Sequence, residues 1–319
     1  MLGKSFDYLF SIASRLGKQQ KLIILIYHRI LDNPDYMYPY EPDIIKFKWQ
    51  MELLASHFKV LPLAEALDRL YAGSLPSKAV CITFDDGYAD NYQHAFPILL
   101  ENGLPATFFV VSGMLNTDRM WNDDVVETVR HYPEPVMDLE FLGMGRHNLA
   151  NPREKYNAAI ALIKAIKYLP LRKRDEICRT IALLAADLPK RLMLTAEQVK
   201  HLSEQGMEIG SHSVNHPILK DLPIADWQAE ILNSKLKLES VTGRAVRFFA
   251  YPNGKLNTDY TIDQTNFIKQ CGYSAGFSTD SGCATAKANC LTLPRFTPWD
   301  VTPNRFLLRM AGMSVLGGV

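Results

Sequence analysis

Two adjacent carboxylates follow an apolar run in the first third of the chain. Ala79–Phe84 is rich in β-branched and aromatic residues, which predicts a strand buried on both faces, as in a parallel sheet. Asp85, Asp86 and Gly87 come directly after it. Two such acids are costly to bury unless they meet a cation or carry out chemistry, and a turn at Gly87 lets both face one pocket. The alternative is that Asp86 or Asp90 only caps the next helix.

Two histidines four residues apart follow a second short apolar run. Residues 207–209 predict another strand, and His212 and His216 come after it. On one helical turn, residues four apart share a face, so both imidazoles can reach one ion; Pro217 makes a non-helical turn an equal alternative. Two histidines and a carboxylate, with open positions for water and substrate, form a common catalytic metal set. Together, the two stretches favour a divalent metal site over unrelated structural side chains.

Further strands and helices must position these side chains. A strand over residues 21–30 carries Tyr27, His28 and Arg29 near its end. Residues 106–111 predict another core strand because they are apolar and β-branched or aromatic. The long, charge-rich stretch at about 125–200 predicts a helical insertion over one side of the fold, with no evident site chemistry. The overall expectation is an α/β fold in which the chemistry lies at strand ends.

The composition restricts the classes of partner. The chain has 319 residues, 47% of them apolar, and a formal net charge of +1. This length fits one large domain, which we expect to span residues 1–319. A net charge near zero argues against nucleic acid as the main partner.

Five cysteines, an odd number, occur without a Cys-x-x-Cys pair. This usage is typical of reduced thiols in a cytoplasmic protein rather than of a disulfide framework. Cys283 and Cys290 could instead form a local disulfide or a second metal pair, but free thiols are the preferred interpretation. The five are Cys81, Cys178, Cys271, Cys283 and Cys290.

The sequence predicts an amphipathic helix at each end of the chain. Residues 5–16 form the core of an N-terminal helix at 1–20, whose charge order does not fit a signal peptide. A C-terminal tail at about 303–319 contains an apolar stretch over 306–316. Either helix could pack on the domain or lie on a membrane surface, and packing is preferred for the N-terminal one. No run is long enough to span a bilayer.

The stretch with the two acids and the stretch with the two histidines resemble motifs of a known family. Residues 83–87 (Thr-Phe-Asp-Asp-Gly) and 212–217 (His-Ser-Val-Asn-His-Pro) resemble the first two motifs of the polysaccharide deacetylase (NodB-homology) family, also called carbohydrate esterase family four. The resemblance runs from about residue 22 to 296. It implies a distorted (β/α) barrel, TIM-like and seven-stranded, with its site at the C-terminal ends of the strands.

The same resemblance implies roles for individual residues. Asp85 would be the general base. Asp86, His212 and His216 would hold one divalent metal, usually zinc, with cobalt, nickel or manganese as alternatives. An N-acetylated saccharide would be the substrate.

The third family motif is present in a divergent form. It usually reads Arg-Pro-Pro-Tyr-Gly, whereas residues 250–254 read Ala-Tyr-Pro-Asn-Gly. By similarity, the backbone N–H of Asn253 is the candidate donor to the oxyanion, and Tyr251 and Pro252 wall the pocket.

The arginine that this motif lacks leaves open what orients Asp85. Arg295, after a late predicted strand, is the best substitute; the alternative for it is a surface ion pair.

The family's Leu-x-His motif, which usually supplies the general acid, is absent. No histidine lies beyond His216, so elimination indicates His28 as the proton donor. The alternatives are that the metal–water system does this work, that the enzyme is weak or inactive, or that His28 is only structural. Trp121, an aromatic beside acids, is a weak candidate for a sugar platform.

The predicted function is metal-dependent removal of N-acetyl groups, with release of acetate, from a sugar, glycan or lipid-linked saccharide in glycan biosynthesis. We expect a cytoplasmic protein, with peripheral contact at the inner membrane face as an option. Two alternatives stay open: hydrolysis of another non-peptide C–N bond, and an inactive glycan-binding protein of the same fold. The sequence gives neither the sugar nor the oligomeric state.

Overall fold

A nearly closed barrel of parallel strands forms the centre of the fold, in a computed structural model that describes residues 20–316. The strands are β1 (Lys21–Tyr27), β2 (Lys59–Val60), β3 (Ala79–Phe84), β4 (Thr107–Val110), β5 (Val136–Asp138), β6 (Arg146–Asn148), β7 (Glu208–Ser211), β8 (Phe248–Ala250), β9 (Ala275–Ser281), β10 (Ala284–Thr285) and β11 (Leu293–Arg295). Phe296, directly after β11, donates its N–H to Ile24 and accepts from the N–H of Ile26, at 2.8 and 3.0 Å. These bonds bring the last strand back to the first.

The sheet runs in the order β10-β1-β3-β4-β7-β8-β9-β11, and β2 pairs with β3. All neighbours are parallel except β10, which is antiparallel to β1. The predicted distorted (β/α) barrel is therefore confirmed. The predicted count of seven strands is wrong for the sheet, which has nine, because the two-residue strands β2 and β10 add to the ring beside β3 and β1.

Helices cover the outside of the barrel, and most of them connect consecutive barrel strands. They are α1 (Ile44–His57), α2 (Leu63–Tyr71), α3 (Phe96–Glu101), α4 (Trp121–His131), α5 (Pro152–Ile166), α6 (Leu171–Ala182), α7 (Ala196–Glu204), α8 (Ile224–Thr242), α9 (Ile262–Gln270) and α10 (Pro303–Leu316). Helices α4, α5 and α6 lie together between β4 and β7. A π-helical segment at Asn91–Ala95 precedes α3. Local sequence sets several boundaries: Asp43 caps α1 through the N–H of Lys46, and Thr195 with Gln198 forms a capping box at the start of α7.

Side chains of the barrel strands alternate between two cores. One set packs together inside the barrel, and the other packs against the helices, as a period of two requires. The inner set from the strands comprises Leu22, Ile24, Ala79, Cys81, Phe109, Phe248, Ala250, Ala275, Phe277, Ala284 and Leu293. On β3 the same alternation places Thr83 and Asp85 on the inner side. The Asp85 carboxylate therefore points toward the barrel axis.

The insertion at about 125–200 contains helices α5 and α6 but is not wholly helical. Strands β5 and β6 form a two-stranded antiparallel hairpin within it. Gly143 and Gly145 in its loop have φ of +69° and +72°, a backbone that glycine adopts without strain. The insertion is mostly helical, as predicted, but the prediction did not include this hairpin and overlooked its pair of turn glycines. The insertion has its own apolar cluster, which also includes α4.

The C-terminal helix α10 docks on the barrel. Phe306 and Met310 are fully buried, and the Phe306 ring packs edge-on against Trp49 of α1 at 5.8 Å. The N-terminal helix predicted at 1–20 lies outside the described residues, apart from Gln20. Within residues 20–316, no helix is both long enough and apolar enough to cross a membrane. The five cysteines are free thiols.

Candidate active site

Asp85 is held by a buried arginine at the top of the barrel. Arg295, at the end of β11, donates from Nη1 to Oδ1 and from Nη2 to Oδ2 of Asp85, both at 2.7 Å. Each residue is only 1% exposed, which excludes a surface ion pair. Burial raises the pKa of Asp85, but the charges of Arg295 and His212 outweigh it, so the pKa lies below its ordinary value. Asp85 is therefore an oriented, ionised carboxylate at neutral pH.

Arg295 is in turn fixed by its surroundings. Its Nε donates to the carbonyl of Ser278 at 2.9 Å, and Nη1 also reaches the hydroxyl of Thr83 at 3.3 Å. The guanidinium carbon lies 5.5 Å from the centre of the Phe109 ring. A Cβ at Gly210 would lie 2.4 Å from that ring. The glycine therefore leaves room for the aromatic side chain that supports the arginine inside the barrel.

Asp86, His212 and His216 converge on one point. Their ligand atoms all lie within 4.8 Å of one another. Asp86 Oδ1 is 3.4 Å from His212 Nε2 and 3.5 Å from His216 Nε2. Asp86 has a left-handed backbone, with φ of +74°, and this turn carries its carboxylate to the same side of the strand end as Asp85. The second turn, 212–217, is also non-helical, with His216 at φ of +52°.

The helix-cap alternative for the acids is wrong. The segment at Asn91–Ala95 has no side-chain cap. Asp90 instead accepts from Arg29 Nε at 2.8 Å and from the N–H of Ile30 at 3.2 Å. Asp86 Oδ1 is buried and accepts no hydrogen bond from the described residues. Asp90 is thus a structural acid, and Asp86 remains available as a ligand.

The three residues fit a divalent metal chemically. His212 Nδ1 lies 2.7 Å from the carbonyl of Ala250. Because a carbonyl only accepts, this nitrogen carries a proton, and in the neutral ring the lone pair is then on Nε2, which faces the cluster. Burial lowers the pKa of His216 to about 3, which keeps that imidazole neutral. A buried, unpartnered carboxylate oxygen beside two imidazole nitrogens is a donor set typical of zinc and related ions.

Charged side chains clamp the turn 212–217 from two directions. Glu230 of α8 accepts from the N–H groups of Val214 and Asn215, at 2.9 and 2.8 Å. Arg174 of α6 donates from Nη2 to the carbonyl of Asn215 and from Nη1 to that of His216, both at 2.9 Å. The insertion therefore contacts the turn that carries His216, although none of its residues belongs to the donor set. The sequence pattern does not distinguish Arg174, because a buried arginine in a charge-dense helix has the same residue type as the solvent-exposed arginines beside it.

His28 directly follows β1, at the end of the barrel where Asp85 lies: the carbonyl of the preceding Tyr27 accepts from the N–H of Asp85 at 2.9 Å. Its side chain is half-buried. Its backbone is fixed, since the carbonyl of His28 accepts from Asn91 Nδ2 at 2.8 Å. Its role as proton donor stays a prediction.

The third-motif turn has one half-buried residue, Asn253, among buried neighbours. Asn253 has φ of +60°, and its N–H donates to no acceptor within the described part of the chain. Tyr251 is fully buried: it stacks on Tyr260 with ring centres 3.7 Å apart, and its hydroxyl donates to the carbonyl of Leu291. The prediction that Tyr251 walls the pocket is therefore wrong. Pro252 is buried as well, and its contact with substrate stays a prediction.

Trp121 begins helix α4 and is half-buried. The guanidinium carbon of Arg174 lies 5.0 Å from the centre of its ring, so one ring face is occupied by a cation. Its buried Nε1 has no partner among the described residues. A sugar could stack only on the other face, and this remains untested.

Comparison with known proteins agrees with this geometry. A family model described as polysaccharide deacetylase matches residues 72–276. The YxkH protein of Bacillus subtilis (strain 168), whose name places it among polysaccharide deacetylases, is 24% identical over 279 residues, 87% of this chain and 71% of its own. A poly-beta-1,6-N-acetyl-D-glucosamine N-deacetylase of Staphylococcus aureus (strain MRSA252) is 30% identical over 175 residues, 48% of this chain; the match spans 60% of that relative's length.

A solved structure shares the fold. The Streptococcus pyogenes deacetylase PplD, in complex with acetate, superposes with a TM-score of 0.60 at 21% identity, covering 92% of this chain and 99% of that one.

Proposed function

Because the chain belongs to the polysaccharide deacetylase family, we propose that it is a metal-dependent hydrolase that removes N-acetyl groups from an N-acetylated saccharide and releases acetate. One observation carries the proposal: a carboxylate locked by a buried arginine, Asp85 with Arg295, lies next to a metal-type donor set. A base beside a metal site is the arrangement that hydrolysis needs and that simple binding does not.

Three residues would hold the metal, namely Asp86, His212 and His216. When bound, a divalent ion would supply a water of lowered pKa and a Lewis acid for the acetamide carbonyl. Zinc is the ion that two imidazoles and a carboxylate suit best, with cobalt, nickel or manganese as alternatives.

Asp85 acts as the general base in this proposal. Its Oδ2 lies 3.9 Å from His212 Nε2, so Asp85 borders the metal set without belonging to it. Its lowered pKa keeps it ionised and ready to accept a proton from the attacking water. The bidentate contact with Arg295 orients the carboxylate and takes the place of the arginine that the third motif lacks.

Two further groups complete the reaction. The N–H of Asn253 has no acceptor in the described chain and would donate to the oxyanion that forms on the acetamide carbon. His28 would give a proton to the leaving amine, since it follows β1 at the end of the barrel where Asp85 lies and does not belong to the metal set. The products are acetate and a free amino sugar.

The substrate we would test first is a β-1,6-linked N-acetylglucosamine oligomer, because the Staphylococcus aureus relative is named for the polymer of that sugar. We expect the zinc-loaded protein to release acetate and free amine in equal amounts, and a chelator to stop both. β-1,4-linked oligomers and non-sugar amides, including formamides and cyclic amides, serve as comparison substrates. Turnover of the non-sugar amides alone would overturn the saccharide assignment in favour of another C–N hydrolase, and saccharide binding without turnover would indicate a binding protein.

A further inference from the structure

We propose that Arg174, in the insertion, is a positioning residue for His216 and sets the affinity of the site for its metal. The inference rests on the metal site of the proposed function. It assigns to helix α6 a part in the metal centre, although no residue of that helix is a ligand. Arg174 acts only through the backbone of the turn 212–217.

The contacts of Arg174 are directed at the ligand itself. It donates to the carbonyl of His216 and to that of the preceding Asn215, both at 2.9 Å. Only 3% of Arg174 is exposed, so water cannot easily replace the guanidinium at these carbonyls. A buried carbonyl that loses a charged donor is left without compensation. The arginine therefore fixes the peptide groups on both sides of the His216 α-carbon.

The backbone of His216 needs such support. Its φ of +52° lies in the left-handed region, which a residue with a Cβ adopts at a cost and keeps only when its surroundings enforce it. The same turn contains Ser213 at φ of +65°. A turn relaxed to ordinary φ values would rotate the imidazole away from Asp86, to which its Nε2 is 3.5 Å in the present geometry.

The guanidinium is itself fixed by the insertion. It lies against the Trp121 ring at 5.0 Å, and its Nε donates to Asp175 at 3.1 Å. Trp121 belongs to α4 and Asp175 to α6, and these two helices pack together in the apolar cluster of the insertion. The turn is thus held between Glu230 on the barrel side and a rigid arginine on the insertion side.

Zinc affinity tests this assignment in a double-mutant cycle. Chelator competition, followed by titration to millimolar zinc, gives the affinities of wild type, Arg174→Met, His216→Ala and the double variant. We expect Arg174→Met to weaken zinc binding by about 10–100-fold, the range found for groups that orient ligands. In the His216→Ala background the same change is expected to have no further effect, because the ligand that it positions is gone. Arg172→Met, an exposed arginine on the same helix, is the matched control and should bind like wild type.

Each other outcome has a distinct meaning. Wild-type affinity in Arg174→Met would overturn the positioning role while leaving the proposed function intact. An equal loss in both backgrounds would also overturn it, since a general structural defect does not depend on His216. No zinc bound by wild type would overturn both proposals. If Arg174→Met does not fold, Arg174→Lys, which keeps the charge but has no fork of donors, should show a smaller loss with the same dependence on His216.

Discussion

Asp85→Asn is expected to lower kcat for acetate release by about 10²–10⁴-fold, the usual contribution of a positioned general base. The amide cannot accept the proton from the attacking water. It keeps the size of the carboxylate but offers Arg295 one acceptor oxygen in place of two. Asp85 does not belong to the donor set formed by Asp86 and the two histidines, so the bound metal should stay near the wild-type level. Initial rates of acetate release and elemental analysis of the same sample measure both effects.

Asp86→Asn is the matched control, since it changes the neighbouring acid by the same chemistry. It should lose metal and activity together, because Asp86 shares the point of convergence with both imidazoles. The roles assigned to these acids would be wrong if Asp85→Asn kept more than a tenth of kcat, or if it lost the metal while Asp86→Asn kept it.

Arg295→Gln is expected to destabilise the protein by about 3–5 kcal/mol, the cost of removing one partner of a buried ion pair. In the wild type, the lowered pKa of Asp85 contributes stability that is present above the ordinary carboxyl pKa and is lost as the pH falls through the folded-state value. Without Arg295, burial would dominate and raise that pKa. Because the base must be ionised, the acid limb of kcat/KM against pH should move to higher pH.

Urea unfolding at neutral pH and the pH profile of kcat/KM measure these two effects. The control is Arg69→Gln, whose partner Glu65 lies one turn away on α2 at 2.8 Å in a largely exposed pair. Such a pair contributes about 0.3–0.5 kcal/mol. An unchanged acid limb, together with a stability loss no greater than in the control, would show that Arg295 does not hold Asp85 in its working state.

Most of the candidate site could be predicted from the sequence because its ligands lie in two short, contiguous stretches. Asp85 and Asp86 follow one strand, and His212 and His216 follow another, so a fold with parallel strands brings them to one end. Arg295 is 210 residues from Asp85. It was predicted only because the third motif lacked an arginine, and local pattern alone does not indicate the contact.

The prediction for Tyr251 and the missing β5–β6 hairpin have physical explanations in strand alternation and in strand length. Phe248 and Ala250 point into the barrel, so Phe249 and Tyr251 must point outward to the helices, and they belong to that outer core. The prediction for Tyr251 followed the family motif instead. The hairpin β5–β6 was missed because its strands have only three residues each, too few for a pattern of alternation.

The contacts of Arg174 lie beyond sequence reasoning for a different reason. They join its side chain to backbone carbonyls more than 40 residues away. Every residue has a backbone carbonyl, so residue types do not indicate which carbonyl is bound. Glu230 is similar, because it binds backbone N–H groups of the same turn. The residues that carry the chemistry could be predicted, whereas those that hold the backbone in place required the structure.

The central claim is that Asp86, His212 and His216 form a metal centre, and bound metal per chain tests it most directly. Elemental analysis of purified wild type, beside His216→Ala, should find close to one zinc-like ion per chain in the wild type and a clear loss in the variant. His201→Ala, which changes a histidine of α7 that bonds Tyr92, should retain the wild-type content. Absence of metal from the wild type, even after addition of zinc, cobalt or nickel, would contradict the hydrolase mechanism.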